Sequence, residues 1–150
     1  MPRGIPWWYN RFKGCGYRMT HPREWILKIL NNADGHMSAE EIYHQVHSEY
    51  PGIGLTTVYR TLELLAGLNF VGKIDIGDKK SRYEISQGPN ANHHHHLICR
   101  KCGKIIDYSD FMDDEVEFLK KIESKLSEKY NFEITSHNIN FMGSCVECRK

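Results

Sequence analysis

The first half of the chain repeats apolar residues with the period of an α-helix in three segments. The first segment follows Thr20, a suitable N-cap residue, and ends within residues 31–35. The second follows Ser38 and Glu41, which have the spacing of a capping box, and the third runs from residue 56 or 57 to Gly67. The pattern predicts three helices with these inward faces: Trp25, Ile26, Ile29 and Leu30; Ile42, Tyr43 and Val46; Val58, Leu62 and Leu65.

Two short β-prone segments follow the third helix. Residues 71–76 and 82–85 are separated by the turn Gly77-Asp78-Lys79-Lys80. Three helices and a hairpin predict a winged-helix domain, which we place at residues 1–86. A hinge linker is predicted at residues 87–92, because turn formers and small polar residues dominate there.

The remaining residues, 93–150, predict a small α/β domain. In chain order the pattern gives strands at 96–99 and 104–108, a helix at about 113–130 and a strand at 132–142. In the last strand His137, Ile139 and Phe141 share one side. The expected fold class is therefore α+β, with a winged helix followed by a smaller α/β domain.

Composition excludes a membrane protein and adds one local feature. The chain is 40% hydrophobic and 26% charged, and none of its apolar runs approaches the roughly 18 residues of a membrane span. Without a secretory signal pattern at the N-terminus, we expect a cytoplasmic protein. The formal net charge is only +1, but residues 1–30 hold six basic residues against one acid. That basic arm is suited to phosphate contacts.

Four of the five cysteines form two CxxC pairs, Cys99 with Cys102 and Cys145 with Cys148. Two such pairs in a reducing compartment predict a closed, tetrahedral, structural zinc site. Two disulfides or four unlinked thiols are the alternatives. Cys15 is left over as an ordinary thiol.

A second constellation mixes imidazoles and carboxylates, the ligands of Fe(II), Mn(II), Zn(II) or Co(II). Its members are His36, Glu84, His93, His94, His95, His96, Asp107, Asp114 and His137. If the histidine run leads into a strand, alternate members face opposite sides, so one segment could hold two ions. A histidine-rich surface loop is the alternative for the run, and a surface or capping histidine for His36.

The order of several motifs closely resembles the ferric uptake regulator family, from about residue 14 to residue 150. The motifs are Tyr17-Arg18-Met19-Thr20-x-Pro22-Arg23, Ser38-Ala39-Glu40-Glu41-Ile42-Tyr43, Thr57-Val58-Tyr59-Arg60-Thr61-Leu62, Arg82-Tyr83-Glu84, His93-His94-His95-His96-Leu97-Ile98-Cys99-x-x-Cys102-Gly103-Lys104 and Cys145-x-x-Cys148. The resemblance implies a homodimeric repressor that binds operator DNA when a regulatory site holds a divalent metal. It also implies structural zinc at the four cysteines.

By motif position the resemblance implies two further metal sites. The regulatory site between domains would use His36, Glu84, His94, His96 and Asp107, and an additional site would use His93, His95, Asp114 and His137. We expect Fe(II) sensing, with Zn(II) sensing, Mn(II) as the regulatory metal or peroxide sensing as alternatives. Two positions depart from the family's patterns: His95 replaces the aspartate usual in iron sensors, and Glu84 replaces the aspartate of the peroxide-sensing branch.

The third helix is the expected reader of the DNA major groove. Thr57, Tyr59, Arg60 and Thr61 are predicted to face outward with hydrogen-bond donors and a guanidinium suited to guanine. Arg18 and the wing-tip pair Lys79 and Lys80 are predicted to contact the DNA backbone or minor groove. The alternatives are hydrophobic packing for Tyr59 and a solvated helix charge for Arg60.

Two rival functions use the same metal ligands. A non-haem metalloenzyme could employ two histidines and a carboxylate, but the sequence lacks a recognisable substrate signature and contains a reader helix that such an enzyme would not need. A metal buffer would have no use for residues 14–85. The sequence therefore favours a regulator over an enzyme.

Overall fold

The computed structural model describes residues 6–86 and 94–150. The chain divides into two compact units, unit 1 (Met1–Ala91) and unit 2 (Asn92–Lys150). The predicted linker at 87–92 and His93 lie outside the described residues. None of the described helices is both long enough and apolar enough to cross a membrane.

Unit 1 has the predicted winged-helix architecture. Its elements are α1 (Trp7–Gly14), α2 (His21–Asn32), β1 (Met37–Ser38), α3 (Ala39–Glu49), α4 (Leu55–Gly67), β2 (Val71–Asp75) and β3 (Ser81–Ile85). Within residues 6–86 the strands form an antiparallel sheet in the order β1-β3-β2. The sequence pattern did not predict α1 or β1.

The helix ends follow local chemistry. Thr20 is the N-cap of α2, and a proline occupies its first turn. The capping box of α3 is complete, since Ser38 Oγ accepts from the Glu41 N–H at 3.2 Å and Glu41 Oε2 accepts from the Ser38 N–H at 2.7 Å. α4 begins after Gly54, slightly earlier than predicted, and ends at Gly67 as expected.

Part of the predicted basic arm is folded as helix α1. Trp8 and Phe12 are buried in the core of unit 1, and the Phe12 ring lies 5.4 Å from that of Phe70. The Arg11 guanidinium lies 5.0 Å from the Phe70 ring centroid, in a cation–π contact. Residues 7–14 are thus part of the folded unit, and Arg11 packs on an aromatic ring. With only two fully buried positions, the helix is too short to give a periodic signal.

Unit 2 contains β4 (His95–Cys99), β5 (Ile105–Tyr108), α5 (Met112–Tyr130) and β6 (Asn140–Gly143). β4 is central, antiparallel to β5 and parallel to β6. The prediction of a strand over residues 132–142 was too long. β4 has only five residues, so it offers ladder partners to residues 140–143 and leaves residues 132–139 outside the sheet.

Burial in unit 2 is sparse. Among residues 94–150 the buried side chains are His95, His96, Ile98 and Cys99. The whole of α5 is described, and none of its residues is fully buried. The large exposed apolar side chains of unit 2 are Leu97, Ile106, Phe111, Phe118, Leu126, Tyr130, Phe132, Phe141, Met142 and Val146.

Candidate metal centres and nucleic-acid interface

Two tight turns bring the four paired cysteines together in unit 2. The first turn follows β4, where the Cys99 N–H donates to Lys104 O and the Gly103 N–H donates to Cys99 O, both at 2.9 Å. Gly103 has φ 75°, a left-handed conformation that glycine adopts without strain. The second turn follows β6, where the Cys148 N–H donates to Cys145 O at 3.0 Å.

The sulfur atoms have the spacing of a tetrahedral metal site. All four lie within 4.8 Å of one another, and Cys102 Sγ is 3.8 Å from Cys145 Sγ. A zinc ion with Zn–S bonds of about 2.3 Å requires sulfur–sulfur edges of about 3.8 Å. The described residues include all five cysteines, and each is a free thiol, which does not favour the disulfide alternative. Cys15 is exposed in unit 1 and takes no part in the cluster.

The electrostatics of this cluster favour a bound cation. Backbone N–H donors, first that of Cys145 and then that of Cys102, lower the pKa of Cys99 to about 6. Hydrogen bonds with neighbouring thiols, first that of Cys145, raise the pKa of Cys148 to about 12. One thiolate therefore forms readily and the last forms only with difficulty. A divalent metal would neutralise the crowded thiolates and remove that difficulty.

In unit 1, strand pairing places His36 beside Glu84. His36 precedes β1, whose Met37 and Ser38 pair with Tyr83 and Arg82 of β3, so the next pair outward is His36 and Glu84. His36 Nε2 lies 3.0 Å from Glu84 Oε2, with both side chains largely buried.

Gly72 of β2 makes room for the Glu84 side chain. A Cβ at position 72 would lie 3.1 Å from Glu84 Cγ and 3.3 Å from Glu84 Oε1, both tighter than ordinary contact. A side chain at this position would therefore require the Glu84 side chain to shift by a few tenths of an ångström.

In unit 2, strand pairing places a second pair of candidate metal ligands side by side. His96 of β4 is opposite Asp107 of β5, and its Nε2 lies 3.5 Å from Asp107 Oδ1. The rings of His94 and His96 lie 5.1 Å apart, on one side of the strand as predicted. His96 Nδ1 lies 3.1 Å from Asn140 Oδ1 on β6. When Nδ1 donates to this amide oxygen, Nε2 is the ring nitrogen that can bind a metal.

His95 faces a different group of side chains. Its Nδ1 lies 2.8 Å from Glu115 Oε1 and 3.3 Å from Tyr108 Oη, and its ring is 5.7 Å from that of His137. Burial lowers the pKa of His95, although the Glu115 carboxylate opposes the shift. His137 Nδ1 in turn lies 2.7 Å from Glu123 Oε1. Burial thus favours the neutral form of the His95 imidazole, which is the form that binds metal.

Asp114, which the resemblance assigns to the additional site, is exposed on α5, and the carboxylate that lies beside His95 at 2.8 Å is that of the next residue, Glu115. Glu115 shares the half-buried stripe of α5 with Leu119 and Ile122, whereas Asp114 is on the exposed side. That spacing could have identified Glu115 from the sequence. His93 lies outside the described residues.

The outward face of α4 differs from the prediction at one position. Thr57, Tyr59 and Arg60 are exposed, but Thr61 is buried at 7% exposure. Thr61 follows Val58 at a spacing of three, which places it at the edge of the buried stripe. Tyr59 Oη donates to Glu40 Oε1 of α3 at 3.1 Å, so Tyr59 is oriented by a polar contact and does not pack in the core.

The predicted backbone-contacting residues are at the surface of unit 1. Arg18 is exposed between α1 and α2. Lys79 and Lys80 are exposed in the turn between β2 and β3, and Lys80 Nζ lies 3.9 Å from Glu40 Oε1. The turn is held by Asp78, which accepts from the Lys80 N–H at 2.9 Å.

Comparison with known proteins gives a consistent relationship. Residues 14–142 match the model of the ferric uptake regulator family. The ferric uptake regulation protein of Bacillus subtilis is 40% identical over 142 residues, covering 93% of this chain and 90% of that protein. The peroxide-responsive repressor PerR of Staphylococcus epidermidis is 33% identical over 136 residues, covering 91% of this chain and 84% of that protein.

Solved structures agree with this relationship. The Helicobacter pylori ferric uptake regulator Fur, described with three functional metal-binding sites, superposes with a TM-score of 0.68 at 30% identity, covering 94% of this chain and 88% of that chain. The manganese-bound regulator of Pseudomonas aeruginosa gives 0.69 at 25% identity, covering 91% and 96%. This chain therefore belongs to the ferric uptake regulator family, whose members are transcriptional regulators and not enzymes.

Proposed function

We propose that this protein is a metal-dependent repressor that binds operator DNA as a homodimer when its regulatory site holds Fe(II). The observation that carries the proposal is that each unit holds part of a ligand set. Unit 1 contributes the pair His36 and Glu84, 3.0 Å apart, and unit 2 contributes His96 and Asp107, 3.5 Å apart, with His94 beside them. Two ligands are too few for a first-row metal, so one ion would complete its coordination by taking both sets.

Such an ion would couple metal binding to DNA binding. It would restrict the relative orientations of the two units and select those in which the two α4 helices of a dimer meet successive major grooves, roughly 34 Å apart. Raising the competent population from about 1% to about 99% requires about 5.5 kcal/mol of differential metal affinity. First-row metal binding can supply that amount.

Two further ions complete the proposal. Zinc at the four cysteines would have a structural role, supported by the 3.8 Å sulfur–sulfur distance and by backbone donors to Cys99. An additional ion would be held by His93, His95 and His137, with Glu115 in the role predicted for Asp114. The 2.8 Å contact between His95 and Glu115 supports this replacement.

The homodimer is supported by the surface of unit 2. Phe141, Leu97 and Ile106 of the sheet expose between 42% and 54% of their surface, and Phe118 of α5 exposes 62%. An apolar surface of this kind on a small unit with few buried side chains is typical of a subunit interface.

The choice of Fe(II) rests on the relatives, because imidazole and carboxylate ligands also suit Zn(II) and Mn(II). Peroxide sensing is the second candidate, favoured by the 33% identity to the Staphylococcus epidermidis repressor. The response to hydrogen peroxide distinguishes an iron sensor from a peroxide sensor. A peroxide sensor loaded with Fe(II) should release DNA on addition of hydrogen peroxide, and the Mn(II)-loaded form should not.

The test is a titration of zinc-containing, otherwise metal-free protein with Fe(II), Mn(II) and Zn(II), with binding to a duplex selected from a random pool as the readout. His96→Ala should keep the zinc, the fold and the dimer but lose the metal-induced gain in affinity. His44→Ala, at an exposed imidazole of α3, is the matched control. If His96→Ala responds to metal as the wild type does, the coupling mechanism is wrong.

A further inference from the structure

A pocket of about 260 Å³ opens on unit 1 between the start of α2 and the exposed face of α4. Its polar lining comes from Thr20 and Arg23 of the α2 end and from Thr57, Arg60 and Thr61 of α4. The residues that line it include two guanidinium groups and three hydroxyls but no carboxylate. The pocket is thus positively charged, rich in hydrogen-bond donors and suited to an anion.

Arg23 is held in place before any ligand arrives. Its Nη1 donates to Arg18 O at 2.6 Å, and its guanidinium lies 5.7 Å from the Phe12 ring centroid. A guanidinium has five N–H donors, so most of them remain available for a ligand. Because the side chain is already ordered, binding an anion here would lose little rotamer entropy.

Two hydroxyls that line the pocket, those of Thr20 and Thr61, make no hydrogen bond to a described residue. Thr61 lines the pocket at 7% exposure, and its hydroxyl bonds to none of the described residues. Thr20 is the N-cap of α2, but its side chain makes no capping bond. Each hydroxyl can therefore hydrogen-bond to a ligand oxygen in the pocket. The N-terminal end of α2 adds a partial positive charge.

We propose that this pocket binds one phosphate of the DNA backbone, an inference that rests on the DNA-binding function proposed above. A phosphate offers several acceptor oxygens, which match the planar Arg23 donors and the Thr57 and Thr61 hydroxyls. Both threonines then position the backbone and do not read bases. Thr61 in particular is too buried to reach a base edge.

The pocket divides the exposed side of α4 into two edges. One edge, with Thr57 and Thr61, faces the start of α2, and the other carries Tyr59, tied to Glu40 of α3. A phosphate seated at the first edge fixes how deeply α4 enters the groove. Tyr59, on the other edge, would then be left to read bases.

The test compares Thr61→Val and Arg23→Gln with the wild type on the selected duplex and on random DNA. Thr61→Val keeps the volume of the side chain and removes only the hydroxyl. It should weaken both complexes about tenfold, and Arg23→Gln should weaken both by tenfold to roughly 100-fold and reduce the salt dependence by about one phosphate contact. Lys28→Gln is the matched control, because Lys28 is an exposed cation of α2 that pairs with Glu24 outside the pocket.

Duplexes with one neutral methylphosphonate at a time give a second measurement. One position in each half-site should weaken the wild type but have no further effect on Thr61→Val or Arg23→Gln. The proposal is overturned if both variants bind as tightly as the wild type, if Arg23→Gln loses no more than Lys28→Gln, or if the losses are confined to the selected duplex.

A binding experiment with inorganic phosphate distinguishes a site for a small free anion from a contact with DNA. Saturable phosphate binding that Arg23→Gln abolishes, with DNA affinity unchanged in both variants, would assign the pocket to a free anion and overturn the proposal. If the wild type binds no duplex with any metal, the proposed function fails and this inference fails with it. If the wild type binds and the variants match it, only this inference fails.

Discussion

The two units of this protein bury different kinds of side chain. Unit 1 encloses a continuous apolar cluster that includes Phe12, Leu62 and Phe70, each fully buried. In unit 2 the buried side chains among residues 94–150 are two histidines, one isoleucine and one cysteine. Unit 1 can therefore be stabilised by its own hydrophobic burial. Unit 2 buries too few apolar side chains for this, and the proposed zinc and the proposed subunit interface would supply the missing stabilisation.

A mutation in the four-cysteine cluster tests most directly whether unit 2 depends on metal for its folding. Cys99→Ser should lose the bound zinc and the folding of unit 2, because structural zinc contributes about 10–16 kcal/mol in small domains that fold with the metal. Hydrogen exchange should show α5 unprotected and α3 unchanged. Cys15→Ser, at the exposed thiol of unit 1, should leave both units as they are. Full protection of α5 in Cys99→Ser would show that unit 2 does not need the metal.

Phe70→Ala tests whether unit 1 is stabilised by its own apolar core. Removing this fully buried ring should destabilise unit 1 by about 3–5 kcal/mol through lost burial and a cavity. Urea unfolding followed by tryptophan fluorescence reports unit 1 alone, since all three tryptophans, Trp7, Trp8 and Trp25, lie in it. The control is Phe118→Ala on α5, where the ring is 62% exposed, and a similar shift there would contradict the contrast.

A smaller effect is expected at alkaline pH. Burial, reinforced by the nearby Glu63 carboxylate, raises the pKa of Tyr83 to about 12. Because this pKa is above that of an unfolded tyrosine, near 10, the stabilisation is complete below pH 10 and is lost as the pH rises to 12. The loss should stay under about 3 kcal/mol, since two pKa units correspond to about 2.7 kcal/mol.

Urea midpoints of unit 1 between pH 8 and pH 12 measure this effect. Tyr83→Phe should flatten the alkaline part of the curve, and Tyr50→Phe, at a ring that is 42% exposed, should not. An unchanged slope in Tyr83→Phe would mean that another group is responsible.

The smallest effect concerns a single cap. Ser38→Ala removes the acceptor for the Glu41 N–H and should cost unit 1 about 1 kcal/mol. The same fluorescence assay gives the value. Ser48→Ala, in the last turn of α3, serves as the comparison and should shift the midpoint less. Equal shifts of the urea midpoint would show that the capping box adds no measurable stability to unit 1.

Sequence reasoning succeeded where one short motif determines the outcome. The capping box at Ser38 fixed the start of α3, and Gly67 marked the end of α4. The CxxC spacing identified the four-cysteine cluster, because both halves are tight turns that bring their thiols together whatever the distance between them in the chain.

The features that were missed depend on contacts that are distant in sequence. β1 has two residues and exists only because it pairs with β3, so it has no periodic signal of its own. α1 becomes visible only through the packing of Phe12 on Phe70. Asn140, which orients His96, lies 44 residues away from it and was not suggested by any local motif.

The close fit of Gly72 against Glu84 has an evolutionary consequence. Since even a methyl group at position 72 would meet the glutamate side chain at 3.1 Å, the two positions should vary together among relatives. Lineages with glutamate at position 84 should retain glycine at position 72, while lineages with the shorter aspartate should tolerate alanine. A replacement of glutamate by aspartate at position 84 would then relax the constraint on the neighbouring strand, and sterics would constrain the order in which the two substitutions arise.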